Sequence, residues 1–483
     1  MDHSCHRFPD TARWSRREWL ARVGGGMGAW ALAGLLGESA RAETRPLGLP
    51  GFPHHAPKAK RVIFLFMTGG FSHLESFDPK PILKERAGEN LPDSVFGGKK
   101  PLGMSALQGA MRMVGSAFPF QQHGQSGAWV SDLMPHTARM VDDLCFVKSM
   151  FSEAVNHDPA LTFMQSGAPL SGRPSMGAWI HYGLGSESAD LPAYICMVSN
   201  RAVDQPLTSR LWDSGFLPAH YQGVQFRSGT DPVLYLSNPK GVSPAGTRRM
   251  LDRLKALHED ELALSSQPEI EARIQQFELA FRMQASVPEA TDLSREPAYV
   301  RDMYGPDVAK PGSFAANCLL ARRLAERGVR FIQLFHPGWD HHGSLPEGME
   351  TGCREIDQPC FALIEDLKQR GMLDDTLVVF GSEFGRTAYS QGNASKSGNY
   401  GREHHRDCFT FWMAGGGIKP GQTYGQTCEF GFRIQENPVH VNDLHATMLH
   451  QLGINHERFT HRFQGRDFRL TDVGGKVLND LLA

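Results

Sequence analysis

Residues 375–417 read DTLVVFGSEFGRTAYSQGNASKSGNYGREHHRDCFTFWMAGGG. Residues 376–380 are β-branched, aliphatic and aromatic, a run suited to a strand buried on both faces. Residues 409–414 are a second apolar run, stopped by Gly415, Gly416 and Gly417. Between them is a stretch without apolar periodicity, read as a loop, that carries Glu383, Arg386, Arg402, Glu403, His404 and His405. Open α/β sheets bind ligands off the carboxyl ends of their strands, and Glu383 sits at such an end.

A second stretch repeats the pattern. Residues 329–335 form an apolar run followed by HPGWDHHG, so Asp340, His341 and His342 also fall just past a strand end. Carboxylates and imidazoles are the ligands of borderline divalent ions, so two such clusters suggest a metal site.

The outward reading extends this into a sheet. Residues 61–67 (RVIFLFM) are the first buried strand and run into Thr68, Gly69, Gly70, Phe71, Ser72 and His73. Residues 144–149 are a strand, followed by EAVNHDPALTFMQSG. There Asp158 can cap a helix with Pro159 in its first turn, leaving Asn156 and His157 at a helix N-terminus, where anions are favoured. Residues 191–198 read as a further strand. Residues 134–142, 314–327 and 355–370 have helical patterns, and residues 440–452 read as a helix capped by Asn442 or Asp443. Residues 245–287 carry charged helical periodicity, a pair of amphipathic helices inserted at about 245–300. Strands alternating with helices predict a mostly parallel sheet covered on both faces, in one domain over residues 61–475.

The 483 residues are 41% hydrophobic, ample for a large core. With a formal net charge of −2 and no basic stripe, nothing argues for nucleic acid. Ser15, Arg16, Arg17, Glu18, Trp19 and Leu20 show the twin-arginine pattern. A Gly/Ala/Leu-rich stretch follows, and then Ala40-Arg41-Ala42 as a cleavage site. Residues 1–42 are therefore expected to be a signal peptide directing the mature chain to the periplasm or beyond. Residues 43–60, rich in Pro and Gly, read as a linker, and no later run is long enough to span a bilayer. Of seven cysteines outside the signal, Cys145, Cys196 and Cys318 read as buried thiols. In an oxidising compartment Cys353 could pair with Cys360, or Cys408 with Cys428.

The ordered motifs MTGGFSHLESFDPKP, NHDPALTFMQSG, GWDHHG, GSEFGRT, GREHH, AGGG and DLHATMLHQLGI cover most of residues 60–470. Together they resemble the DUF1501 family of exported bacterial proteins, grouped with the alkaline phosphatase and sulfatase superfamily. The resemblance implies a three-layer α/β/α sandwich, alkaline phosphatase-like, with a metal-centred site at the sheet's carboxyl edge. It also implies losses. The first strand ends in Thr68, Gly69 and Gly70, without the superfamily's metal-binding Asp. Counting back from Gly167, with Pro159 matching, the nucleophile position is His157. The late Asp-His pair is replaced by Glu383 and Phe384. One metal centre remains on this reading, and the usual Ser, Thr or Cys nucleophile is absent.

Two functions follow. In the first, a divalent ion (zinc, with calcium or manganese as alternatives) serves a hydrolase of phosphate or sulfate esters. Asp340, His342, Glu383 and His405 hold the ion, and His341, His404, Asn156 and His73 surround them. Arg386 and Arg402 fork onto the anion, and His157 acts as general base or nucleophile. Within each His-His pair only one imidazole faces the ion, since neighbours in an extended segment point apart. The substrate is a small anionic ester, such as part of a sulfated polysaccharide. In the second, the same fold is a non-catalytic binding or scaffold protein.

Overall fold

The run RVIFLFM forms β1 (Arg61–Met67), and its alternate side chains enter two different cores. Ile63, Leu65 and Met67 pack on one side, while Val62, Phe64 and Phe66 pack on the other. A strand buried on both faces has no polar side to show, which is why it reads as an unbroken apolar run. The computed structural model describes residues 48–483 apart from 99–102, 202–204, 228–231, 235, 266–267 and 392–398. The expected signal peptide, residues 1–42, lies outside the described residues.

The remaining strands of the sheet are β2 (Cys145–Phe151), β3 (Tyr194–Val198), β4 (Val224–Phe226), β5 (Phe331–His336), β6 (Thr376–Gly381), β9 (Phe409–Ala414), β10 (Gln422–Tyr424) and β11 (Val439–His440). Their order is β10-β2-β9-β6-β1-β5-β3-β4, with β11 also paired to β2. β1 pairs in parallel with β5 and β6, and β3 with β5 and β4. β9 alone among the described strands of this sheet runs antiparallel, against β6 and β2. The four strands expected to share a sheet do so.

One face is covered by α1 (His157–Ser166), α2 (Met176–Leu184) and α7 (Val441–Gln451), the other by α5 (Phe314–Glu326) and α6 (Leu345–Gln369). The result is an α/β/α sandwich. The amphipathic pair is present as α3 (Pro244–Ser265) and α4 (Pro268–Thr291). No helix among the described residues is long and apolar enough to cross a membrane.

Several expectations need correction. The stretch after β6 is not a plain loop. Residues 385–390 and 402–405 pair as an antiparallel ribbon, β7 (Gly385–Ser390) with β8 (Arg402–His405). α6 starts ten residues earlier than its apolar pattern, with Pro in its first turn. Residues 137–143 form a tight 3₁₀ helix rather than an α-helix. α1 begins at His157 with Asn156 as its N-cap, two residues before the expected cap Asp158. α7 is capped by the His440 side chain, which accepts from Asn442 N while Asp443 reaches back to the His440 N–H. Residues 48–60 are no free linker: His54 N, Lys58 N and Ala59 N donate to carbonyls at Gly453 and Gln451. At the other end, Ala483 N donates to Gly417 O at 2.9 Å, so the fold runs past residue 475. All seven described cysteines are free thiols, and neither proposed disulfide is formed.

Candidate metal centre

Four segments leave the carboxyl edge of the sheet and meet. The segment after β5 carries Asp340, His341 and His342, and the one after β2 carries Asn156 and His157. Glu383 follows β6 directly, and His404 lies on β8. The first strand contributes no ligand but contributes space. Gly69 has φ +120°, and a Cβ there would stand 2.5 Å from the Asp340 backbone nitrogen. Only glycine lets the two loops approach so closely.

Asp340 Oδ1 is the hub. It lies 2.7 Å from Arg386 Nη2, 2.8 Å from His342 Nε2, 3.2 Å from His404 Nε2 and 3.3 Å from His157 Nε2. One ligand atom from each of His157, Asp340, His342 and His404 falls within 4.8 Å of the others.

The outer nitrogens of the three imidazoles explain which way the lone pairs face. His157 Nδ1 is 2.7 Å from Glu383 Oε1, His404 Nδ1 is 2.9 Å from Val155 O, and His342 Nδ1 contacts Gln391 Oε1. Each partner is an acceptor, so a hydrogen on each Nδ1 satisfies it, and each Nε2 is the nitrogen turned inward to Asp340, from which a cation would displace any proton. Orienting a ligand histidine through its far nitrogen is the usual support of a metal site. The His157 Nε2 is buried without a hydrogen-bond partner among the described residues. Three inward-facing imidazole nitrogens and one carboxylate fit a borderline divalent ion.

The electrostatics agree. Burial opposes ionisation of Asp340, but the three imidazoles and the Arg386 guanidinium hold its carboxyl far below the ordinary range. Burial would lower the His157 pKa, yet the Asp340 and Glu383 carboxylates outweigh it and raise it to about 9. Burial lowers the His404 pKa, and the Arg386 charge adds to that despite Asp340. Glu383 is fully buried; its desolvation is overcome by His157, which holds it ionised.

The structure therefore brings together His157, Asp340, His342 and His404, with Glu383 just behind. Glu383 is committed to His157 Nδ1, to Gly69 N at 2.8 Å and to Ser382 Oγ at 2.9 Å, so it orients the His157 imidazole and is not one of the four clustered groups. His405 does not join. Its Nε2 is 2.9 Å from Phe432 O and its ring stacks on Phe432 at 4.3 Å. The register of β8 slips between Arg402 and His404, and that irregularity decides which imidazole of the pair faces inward. His341 also turns away, onto Gly348 of α6, where burial pushes its pKa down to about 4. His73 is buried beside Cys408 and Gly431 O, not in the cluster.

Neither arginine can fork onto a ligand. Arg386 is fully buried and donates to Gly70 O, Arg402 O and Asp340 Oδ1. Arg402 is fully buried and meets Glu75 Oε1 through Nε at 3.0 Å and Nη2 at 2.8 Å. Asn156 lies exposed next to His157 and makes no side-chain cap bond. Three supporting groups carried no sequence signal: Gln205, whose Nε2 donates to Asp340 Oδ2 at 3.1 Å, Gln391, and the Val155 carbonyl.

Solved structures similar to this chain include a protein of the alkaline phosphatase superfamily from Vibrio parahaemolyticus. It is 10% identical, with 82% of this chain and 67% of that chain covered and a TM-score of 0.34. The phosphonate monoester hydrolase SpPMH from Silicibacter pomeroyi is 12% identical over 88% and 76%, with a TM-score of 0.33. The PsFucS1 sulfatase from Pseudoalteromonas sp. is 14% identical over 83% and 68%, with a TM-score of 0.31. No curated protein matches the chain. A family profile described as "Protein of unknown function (DUF1501)" matches residues 59–482, nearly the whole described fold, and the chain belongs to that family.

Proposed function

We propose that this protein is a metal-dependent, sulfatase-like hydrolase of sulfate or phosphate esters. His157, Asp340, His342 and His404 would hold one divalent ion. The carrying observation is the convergence of three imidazole Nε2 atoms, each with its Nδ1 on an acceptor, around one carboxylate. Such a nitrogen-rich set suits zinc better than calcium, which takes oxygen ligands. When bound, the ion supplies Lewis-acid polarisation and a bound water of lowered pKa.

The chain's own groups supply the rest. Arg386 and Gln205 fix the two Asp340 oxygens, and Glu383 keeps the His157 hydrogen on Nδ1. The first-turn N–H groups of α1 have no intrahelical acceptors, and with the exposed Asn156 they offer donors to an anionic ester. His157 thereby acts as a ligand, not as the nucleophile or base of the sequence reading. A small anionic ester is the proposed substrate. The proposal includes export by the twin-arginine route: replacing Arg16 and Arg17 by Lys should leave unprocessed precursor in the cytoplasm.

The test is metal content by mass spectrometry on protein purified without chelator, alongside turnover of 4-nitrophenyl sulfate and 4-nitrophenyl phosphate. One equivalent of metal, with turnover lost on chelation and restored by zinc, is the expected result. Ester turnover by metal-free protein would overturn it. Burial of both arginines favours a second reading, a ligand-binding protein around the same ion. One equivalent of metal with no turnover of either ester would select it.

A further inference from the structure

Beside the metal cluster lies a cleft of about 690 Å³, and His404 is one of its walls. The same imidazole that turns Nε2 toward Asp340 presents its other flank, with Val155, to this space. The rest of the wall is of two kinds. Phe96, Phe151, Tyr389 and Phe432 give it aromatic faces. The Phe96 and Phe432 rings meet edge to face at 5.3 Å, and Phe432 also stacks on His405, another lining residue. Tyr389 and Phe432 are buried, and Phe96 and Phe151 are half-buried.

The second kind is cationic. Arg406 and Arg433 both line the cleft, against one acid, Asp407. Arg406 donates through Nη1 to Glu153 O, but its Nε is buried without a hydrogen-bond partner and stands 3.9 Å from Asp407 Oδ1. The Arg433 guanidinium packs on Gly97, where a Cβ would lie 1.7 Å from Nη2. Its backbone is tied to Cys428 in both directions, while its guanidinium has no acceptor among the described residues. A half-buried guanidinium with its backbone anchored and its fork free is prepared for a planar anion.

We infer that this cleft binds the non-reacting part of the substrate, and that this part is a ring bearing a second anionic group, a carboxylate or sulfate paired with Arg433. The aromatic walls take the ring by stacking, and the arginine pair sets the charge. The inference rests on the hydrolase reading for the word substrate, but the binding itself does not need the metal. An aromatic pocket alone would accept neutral rings equally; the free guanidinium makes the site discriminate by charge.

The experiment compares phenyl sulfate with 4-carboxyphenyl sulfate by calorimetry on chelator-stripped protein, where the proposed turnover does not consume either probe. The carboxylated probe should bind on the order of tenfold more tightly, the scale of one charge-assisted hydrogen-bonded pair. Arg433→Ala should erase that preference and leave phenyl sulfate binding unchanged, while Arg433→Lys should keep part of it. The thermal midpoint of each variant reports whether the fold is intact. Equal affinities for the two probes, a preference that survives Arg433→Ala, or no binding of either probe at millimolar concentration would overturn the inference. Failure of the hydrolase reading shows separately, as absent zinc binding or absent turnover, because Arg433 is not among the metal ligands.

Discussion

His157 and Glu383 stand 226 positions apart in sequence and 2.7 Å apart in the fold, Nδ1 to Oε1. The pair joins the start of α1 to the end of β6, and it orients an imidazole proposed as a metal ligand. Replacing Glu383 by Gln keeps the shape and the one oxygen that already accepts from Gly69 N and meets His157 Nδ1, but removes the negative charge and turns the oxygen that accepts from Ser382 Oγ into an amide nitrogen. Zinc affinity should fall on the order of tenfold to a hundredfold, the usual cost of losing such a support. Competition titration against a chromophoric chelator reads it, and an unchanged affinity would mean that the carboxylate does not orient the imidazole.

The two histidines of GREHH should separate cleanly. His404→Ala removes an inward Nε2 and should abolish stoichiometric metal. His405→Ala removes a ring stacked on Phe432 and should leave metal content intact while lowering stability by about 1–3 kcal/mol. Metal analysis and urea unfolding on both variants decide it; loss of metal in His405→Ala alone would reverse the assignment.

The strands and their ends were legible because a strand buried on both faces is a continuous apolar run, and its end is where polar residues resume. Asp340, His342 and Glu383 were placed from that alone. The choice between His404 and His405 was not legible, since alternation predicts opposite faces but not which one, and the slip in β8 is invisible in the letters. The arginines misled for a different reason. A charge in a polar stretch looks solvated, but the Arg402 partner is Glu75, 327 positions away, and only the fold brings them together. Gln205 and the Val155 carbonyl carry no residue-type signal for metal support at all.

The Glu75–Arg402 pair predicts stability, not catalysis. Both side chains are fully out of solvent, and Arg402 also donates to Thr387 O and Val114 O at 2.9 Å. Removing one partner leaves the other charge buried and unpaired. Glu75→Ala or Arg402→Ala should cost about 3–5 kcal/mol. Chemical denaturation measures the loss. Should either variant fold as tightly as the parent yet lose ester turnover, Arg402 would belong to the site after all.

Acid should weaken the fold through buried histidines outside the candidate metal cluster. Burial pushes the pKa of His73 and of His181 down to about 3, and that of His445 to about 4, from an ordinary 6.5. Each folded-state value lies below the unfolded one. Above pH 6.5 both states are neutral at these sites and they add no pH dependence. As pH falls below 6.5 the unfolded chain takes up protons that the folded chain refuses, so stability drops until the folded values are reached. Each imidazole contributes about 1.4 kcal/mol per pH unit in that window, the energy of one pKa unit. His157, raised to about 9, acts with the opposite sign and only above pH 6.5, so it does not mask the effect. Urea unfolding of metal-stripped protein between pH 7 and pH 5 should show a steep loss of stability toward acid, reduced by about one proton's share in His445→Gln. A flat profile over that range would show that these imidazoles are protonated inside the fold.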